Sequence, residues 1–388
     1  MEVKYMKKIY LPSGMRDNIL SEAKTKKELQ VCFEKVFESY GYSKIYTPSI
    51  EFFSTYQNAF SNLNSNSMYK FFDQDGNILS LRMDMTVPIA RVCATKFKDY
   101  QLPLRFYYSC NVFKVRESFA GKRNEVTDCG VELIGLDKKS DVEVLMCAFD
   151  AMKALNVKTY AIECGDSGLF KKACKLLNME DETIEKLADL IDRKSMVDLK
   201  LFLDTLNLEP NQKQFMMELP LLNGDVSILS KAKKLCFDES LKEKIEELED
   251  IYTLLSKLDY HQHLRFDLGK IAHLDYYTGL IFEGFVEGVG VSVLSGGRYD
   301  KLLSKFGMDV PACGFSIKID YLLDIIKHSS KKSCKLFYPQ DKEVEALLMA
   351  ANLRKEKNVE LIPWQKENIW IKEEETDVII DSVDERSS

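Results

Sequence analysis

Between residues 167 and 260 the chain reads almost wholly as helix, while the stretches on both sides read as strands. Lys, Glu and Leu dominate this block, with a Leu-Pro break at Pro220 and a turn at Asn223-Gly224. Any sheet must therefore join strands from opposite sides of a long helical insertion. In the first part, residues 18–40 have an apolar period near 3.6 that ends at Gly41, so a helix is predicted. Tyr42 to Glu51 alternates like a strand with Pro48 near its end, and 57–67 is polar and turn-rich, so a loop is predicted there. Met68–Phe72 and Ile78–Arg82 flank Asp75-Gly76 as a hairpin. A short helix is predicted over Val87–Lys96, and strands over Arg105–Val115 and Cys129–Gly135. A helix over Asp141–Leu155 and a strand over Thr159–Cys164 follow. After the insertion, strands return at Arg265–Leu268, Leu280–Val286 and Gly290–Ser295. A helix at Tyr299–Phe306 and a strand-then-helix over 311–327 come next. The last part, from Lys335, reads β-α-β with an acidic tail. Hairpins and flanking helices without regular strand-helix alternation imply α+β with a mainly antiparallel sheet. The predicted division is 1–166, 167–260, 261–330 and 331–388.

Composition narrows the function. The 388 residues carry a net charge of −7, which does not suit a chain that wraps nucleic acid through its phosphates. There is no apolar run long enough for a membrane span, and Met1 to Asp17 lacks the apolar core of a secretory signal. Ten cysteines occur singly, with no C-x-x-C pair, so no metal site is expected and a reducing cytoplasm is the simplest location.

Four segments could carry chemistry. In Leu81-Arg-Met-Asp-Met-Thr86, Asp84 and Thr86 could present a carboxylate and a hydroxyl to a cavity, although Asp84 as a helix cap is the simpler reading. Strands around Phe106–Arg116 and Arg123–Glu132 could clamp an anion, or form an ordinary charged hairpin. His273-Leu-Asp-Tyr-Tyr-Thr-Gly279 points Tyr276 and Tyr277 to opposite faces, one toward a pocket or both into packing. Ser295-Gly-Gly-Arg-Tyr-Asp300 permits close backbone approach to a ligand, or a tight turn.

In this order, over roughly residues 9–325, the segments resemble the class II aminoacyl-tRNA synthetase core of the histidyl-tRNA synthetase family. Leu11–Asp17 is similar to that family's opening segment, and Gly41–Glu51 resembles its first motif, which builds the dimer interface there. Leu81–Thr86 resembles the loop that grips the amino group of histidine, and Leu104–Gly135 resembles the second motif. Leu274–Gly279 resembles the histidine-specific segment, and Ser295–Asp300 with Pro311–Leu322 resembles the third motif region. The resemblance implies an antiparallel sheet flanked by helices, a helical insertion and a small C-terminal α/β segment.

The departures redirect the function. The resemblance places Lys114, Asn124, Ala272 and Tyr321 where synthetases carry arginines that neutralise ATP phosphates, and lysine does not reproduce bidentate guanidinium geometry. It places Asp84, Thr86, Asp128, Glu132, Tyr276, Tyr277 and Tyr299 around histidine, with Asp84 in place of a glutamate and Asp128 in place of a glutamine. The tRNA-reading domain of the family is longer, and residues 331–388 hold ten basic and thirteen acidic residues. A core without activating arginines resembles the regulatory subunits of short-form ATP phosphoribosyltransferase. That resemblance implies no catalysis, no cofactor and no tRNA. It also implies a separate short catalytic subunit as partner, a self-dimer through the core, and L-histidine as feedback effector of histidine biosynthesis. A divergent active synthetase and a stand-alone histidine-binding pseudo-enzyme are the alternatives.

Overall fold

The structure, a computed structural model, describes residues 11–60, 63–115, 123–271, 277–326, 333–364 and 370–374. It divides into two compact units, Met1–Ile326 and Lys327–Ser388. In the first, α1 (Leu20–Ser39) buries Thr25, Leu29, Phe33 and Phe37, four residues apart and hence on one face. There follow β1 (Ser43–Lys44), β2 (Ile50–Phe52), α2 (Phe53–Ala59), β3 (Lys70–Phe72), β4 (Ile78–Leu81) and α3 (Thr86–Lys96). Next come β5 (Leu104–Phe113), β6 (Glu125–Ile134), α4 (Asp141–Ala154) and β7 (Tyr160–Asp166). The helices α5 (Ser167–Leu176), α6 (Asp181–Asp192), α7 (Met196–Asp204) and α8 (Pro210–Glu218) lead through β8 (Asn223–Gly224) to α9 (Ser227–Leu235) and α10 (Glu239–Lys257). The unit closes with β9 (Leu264–Asp267), β10 (Leu280–Val286), β11 (Leu294–Arg298) and β12 (Ala312–Lys318).

Among the described residues, nine strands form one sheet in the order β1-β5-β6-β12-β11-β10-β7-β9-β8. Only β1 with β5 and β7 with β9 pair in parallel. The α+β class with a mainly antiparallel sheet is therefore the observed one. In β6 the alternation of a strand separates two environments. Cys129, Val131 and Leu133 enter the main core with α1 and α4. Asp128, Gly130 and Glu132 face the other way, opposite Lys318, Ser316 and Gly314 of β12. The helical block does not form a separate core: Leu187, Leu199, Phe215, Leu229 and Leu255 belong to the same buried cluster as Phe33 and Phe282. No described helix is long and apolar enough to cross a membrane.

Several local expectations change. Tyr42 to Glu51 is not one strand, because β1 joins the large sheet while β2 joins a separate sheet of order β2-β4-β3. Pro48 lies at the crossing, where it removes a ladder donor, and Arg82 ties the segment by donating from Nη1 to the Thr47 carbonyl at 2.9 Å. The polar stretch predicted as a loop from Gln57 begins as the last turn of α2, whose Tyr56 and Ala59 are fully buried. Gly296 and Gly297 lie within β11 rather than after it, and Tyr299–Phe306 holds only the 3-10 turn Leu303–Phe306. In the second unit, β13 (Ser333–Pro339) pairs with β14 (Asn358–Trp364) and β15 (Trp370–Glu374), and α11 (Glu343–Leu353) covers the sheet. The third strand falls in what reads as an acidic tail.

The end of β11 is fixed to the start of α4 by Arg298, which is 3% exposed. Its Nε donates to Asp141 at 2.9 Å, Nη1 to Asp300 at 2.8 Å and Nη2 to the Asp137 carbonyl at 2.7 Å. Removing one member of such a buried pair strands the other charge. Asp141→Ala is expected to lower the free energy of unfolding by about 3–5 kcal/mol. Urea denaturation measures this, and a loss under about 1 kcal/mol would mean that the pair does not hold the two elements together.

Candidate functional site

The face of the sheet opposite α1 and α4 carries a cavity of about 120 Å³. Asp84 and Thr86 reach it from the turn into α3, Tyr108 and Lys114 from β5 and its end, and Asp128 from β6. Ser316 and Lys318 come from β12, Ser295 from β11, and Tyr277 and Tyr299 from the segments before β10 and after β11. Two glycines keep it open. A Cβ at Gly314 would collide with the Glu132 carboxylate, and one at Gly297 would come within 2.8 Å of the Tyr277 ring.

Glu132, 1% exposed, is the anchor. Its Oε1 accepts from Thr86 Oγ1 at 2.7 Å, and its Oε2 accepts from the Tyr299 hydroxyl. Burial nevertheless pushes its carboxyl up to about 8, against the pull of those two hydroxyls. Burial likewise raises Asp84 to about 6, opposed by the Lys114 ammonium. Asp84 also caps α3, with Oδ1 accepting from the Val87 amide at 3.0 Å, so both readings of that residue hold together. Asp128 is raised by burial and restrained by Lys318 and Lys114. Its Oδ1 is buried without a hydrogen-bond partner. Burial raises Tyr277 and Tyr108 too, which keeps both phenols protonated. The cavity thus gathers buried acceptors, neutral hydroxyls and two ammonium groups, an arrangement suited to a small ligand carrying both cationic and anionic ends. No described group of three His, Cys, Asp or Glu is placed to hold a metal ion.

Thus Asp84, Thr86, Asp128, Tyr277 and Tyr299 line one cavity, and Glu132 stands directly behind two of them. Tyr276 and Ala272 lie outside the described residues. Lys114 is on the cavity wall. Asn124 lies beside the cavity and not on its wall: its amide N–H donates to the Gly14 carbonyl at 2.8 Å, and its side chain donates to the Ser13 carbonyl at 3.0 Å and to the Tyr69 hydroxyl at 2.9 Å. Tyr321 packs against the main core. Beside the cavity lies a second space of only about 20 Å³, lined by Lys114, Arg123 and Asn124. Arg123 is held there by Asp320, Nη1 to Oδ1 at 2.9 Å. Sequence reasoning missed Lys318 and Tyr108 as site residues, while Ser295 and Ser316 fell within segments singled out without a role of their own. The alternation Gly314, Ser316, Lys318 along a strand was the available signal, since it puts all three on one face.

The family model described as histidyl-tRNA synthetase matches residues 14–322. The ATP phosphoribosyltransferase regulatory subunit of Clostridium botulinum (strain 657 / Type Ba4) is 38% identical over 349 residues, 89% of this chain and 82% of the relative. Among solved structures, an ATP phosphoribosyltransferase regulatory subunit/histidyl-tRNA synthetase from Bacillus halodurans C superposes with a TM-score of 0.83 at 31% identity, covering 94% of each chain. The histidyl-tRNA synthetase of Nostoc sp. PCC 7120 shares the fold, with a TM-score of 0.77 at 24% identity, covering 94% of this chain and 88% of that one.

The buried carboxyls give a measurable pH signature. An unfolded glutamate ionises near 4.5 and the folded Glu132 near 8. The stability that comes from keeping it protonated is complete below 4.5 and is lost as pH rises through about 8. Urea midpoints of the ligand-free chain should therefore fall between pH 5 and 9, and Glu132→Gln should flatten most of that fall. An equal decline in the variant would assign the pH dependence to another group.

Proposed function

The chain belongs to the family of ATP phosphoribosyltransferase regulatory subunits built on the histidyl-tRNA synthetase fold, and from that membership we propose that it works as a non-catalytic subunit. It assembles with a separate short catalytic subunit, enables that subunit's activity and confers feedback inhibition by L-histidine. The observation that carries this reading is a split within one site. The carboxylates and hydroxyls that could hold an amino acid converge on a cavity, while the described positions that the resemblance assigns to nucleotide-binding arginines hold other residues. Adenylate formation needs positioned guanidinium groups, each worth several kcal/mol of barrier. Here Lys114 brings a point charge, Asn124 is engaged by the Ser13 carbonyl and Tyr69, and Tyr321 packs, partly buried, against the core. Arg123, which lines the space beside the cavity, is paired with Asp320.

Inhibition then requires a coupling free energy between the histidine cavity and the partner's active site, typically about 1–3 kcal/mol. Within the cavity, α-ammonium and ring N–H groups would meet Asp84 and Asp128, the ligand carboxylate would meet Lys114 or Lys318, and Glu132 would act from behind by holding Thr86 and Tyr299. The reading also includes a self-dimer. The sheet β2-β4-β3 presents Ile50, Phe52 and Phe71 on one face, 45%, 53% and 36% exposed. An apolar face of this kind, beside the segment that resembles the family's dimer motif, suits a second copy of the chain.

Four outcomes are expected. The purified chain should give no histidine-dependent ATP–pyrophosphate exchange, and robust exchange would make it an active synthetase. Mixed with a short catalytic subunit, it should raise phosphoribosyl transfer and make it histidine-sensitive. Asp84→Asn, which keeps the helix cap, or Tyr277→Phe should raise the half-inhibiting histidine concentration by about tenfold while leaving activation intact. Unchanged inhibition in both would remove the cavity from the mechanism. In light scattering, Phe52→Asp should convert a dimer to a monomer, and an unaltered mass would place the dimer contact elsewhere.

A further inference from the structure

We propose that α11 of the second unit docks against α11 of a second copy of this chain, as an antiparallel pair related by a two-fold axis. The helix turns a narrow face to its own sheet. Ala346 and Ala350 are fully buried there, with Leu353 packed beside them. The opposite face carries Val344, Leu347, Leu348 and Ala351, whose spacing makes one stripe along the helix. Val344 is 72% exposed, Leu347 46% and Leu348 70%. A surface helix ordinarily keeps its apolar stripe for the core. Here the larger apolar residues point away from it, and a stripe of this kind calls for a partner surface.

The placement of charge identifies the partner as a second copy. In an antiparallel two-fold pair, each flank of one helix meets the same flank of the other. The stripe sets the register: Val344 faces Ala351 of the other copy, and Leu347 faces Leu348, with the axis between these two. Glu343 and Arg354 are eleven residues apart, about three full turns, so they share one flank. In this register Glu343 of each copy comes within two residues, roughly 3 Å along the helix, of Arg354 of the other. Glu345 and Asn352, seven residues apart, share the other flank and meet with the same offset. A parallel pair would instead set Glu343 against Glu343 and Arg354 against Arg354. Within its own chain Arg354 Nη2 reaches the Val359 carbonyl at 3.4 Å, which leaves guanidinium donors over for a carboxylate. Eleven residues make a helix about 16 Å long, and a pair this short buries less than the ~1,200 Å² of a stable interface. The contact therefore forms between copies that the core already holds together at high effective concentration, and to that extent it rests on the self-dimer reading above.

The test is disulfide formation in the full-length chain under oxidised glutathione. Leu348→Cys sets the two introduced thiols beside the axis and should give a covalent dimer whose bridge maps to position 348. Val344→Cys should give at least about tenfold less, because its two copies lie about 10 Å apart along the pair, beyond the ~7 Å between Cα atoms that a disulfide spans. Arg354→Glu, added to Leu348→Cys, sets like charges together and should slow bridging about three- to fivefold, and further addition of Glu343→Arg should restore it. Equal bridging from positions 344 and 348, or a loss on Arg354→Glu that Glu343→Arg does not reverse, would overturn the proposal. Light scattering separates this inference from the reading beneath it. A dimer that fails to bridge at position 348 overturns the α11 pair alone and gives the stripe to another occupant, whereas a monomeric chain removes the self-dimer reading and this inference with it.

Discussion

A carboxylate buried in the middle of a sheet is the constraint around which this molecule is organised. Glu132 projects from β6 where its neighbours Val131 and Leu133 supply the core on the other face. Moving an ionisable group into such a place is costly unless partners receive it. Its two oxygens gather Thr86 from the turn before α3 and Tyr299 from the segment after β11. A single side chain thus draws together three regions far apart in sequence. It also explains Gly314 directly opposite on β12, since any larger residue would occupy the volume the carboxylate needs. The remaining frustration, a carboxyl held near 8 and an Asp128 oxygen without a donor, is the kind of local inconsistency that a ligand resolves.

Three arginines around the same sheet are held by bonds within the protein. Arg298 is a strut between β11 and α4, fully engaged by Asp141, Asp300 and backbone carbonyls. Arg82 bridges the Thr47 and Asn111 carbonyls. Arg123 is satisfied by Asp320. Arg298 and Arg82 each make several bonds within the protein, which is where planar donors are most effective. Two lysines, Lys114 and Lys318, are the cations left on the cavity wall. Compact ammonium groups there suit one carboxylate better than an extended phosphate chain.

Much of the architecture was legible because period and turn chemistry agree over long segments. The face of α1, the hairpin at Asp75-Gly76 and the strand β10 all follow from residue spacing alone. Legibility failed where tertiary pairing outweighs local preference. The run from Tyr42 to Glu51 reads as one strand, yet Pro48 and the Arg82 bonds divide it between two sheets. Gly296-Gly297 reads as a turn, yet both glycines continue β11 because Phe282 and Tyr277 press against them and leave no room for side chains. Of the cavity, Asp84, Thr86 and one of the paired tyrosines were candidates for a pocket from residue type, and the resemblance gathered them with Asp128 and Tyr299 into one site. Lys318 was missed because one lysine at a strand end is indistinguishable from an ordinary surface charge until its neighbours are known.

The helical insertion makes the last link between fold and regulation. Its residues Leu199, Phe215 and Leu229 share one buried cluster with Cys313, Phe315 and Ile317 of β12. Those three face the core, while Gly314, Ser316 and Lys318 of the same strand face the cavity. Close-packed interiors transmit small displacements rather than absorb them. A displacement of Lys318 or Ser316 would therefore act on a strand whose other face packs on α4, the helix against which α10 of the insertion rests. The cavity face and the helical block are thus joined through alternate residues of one strand and through α4.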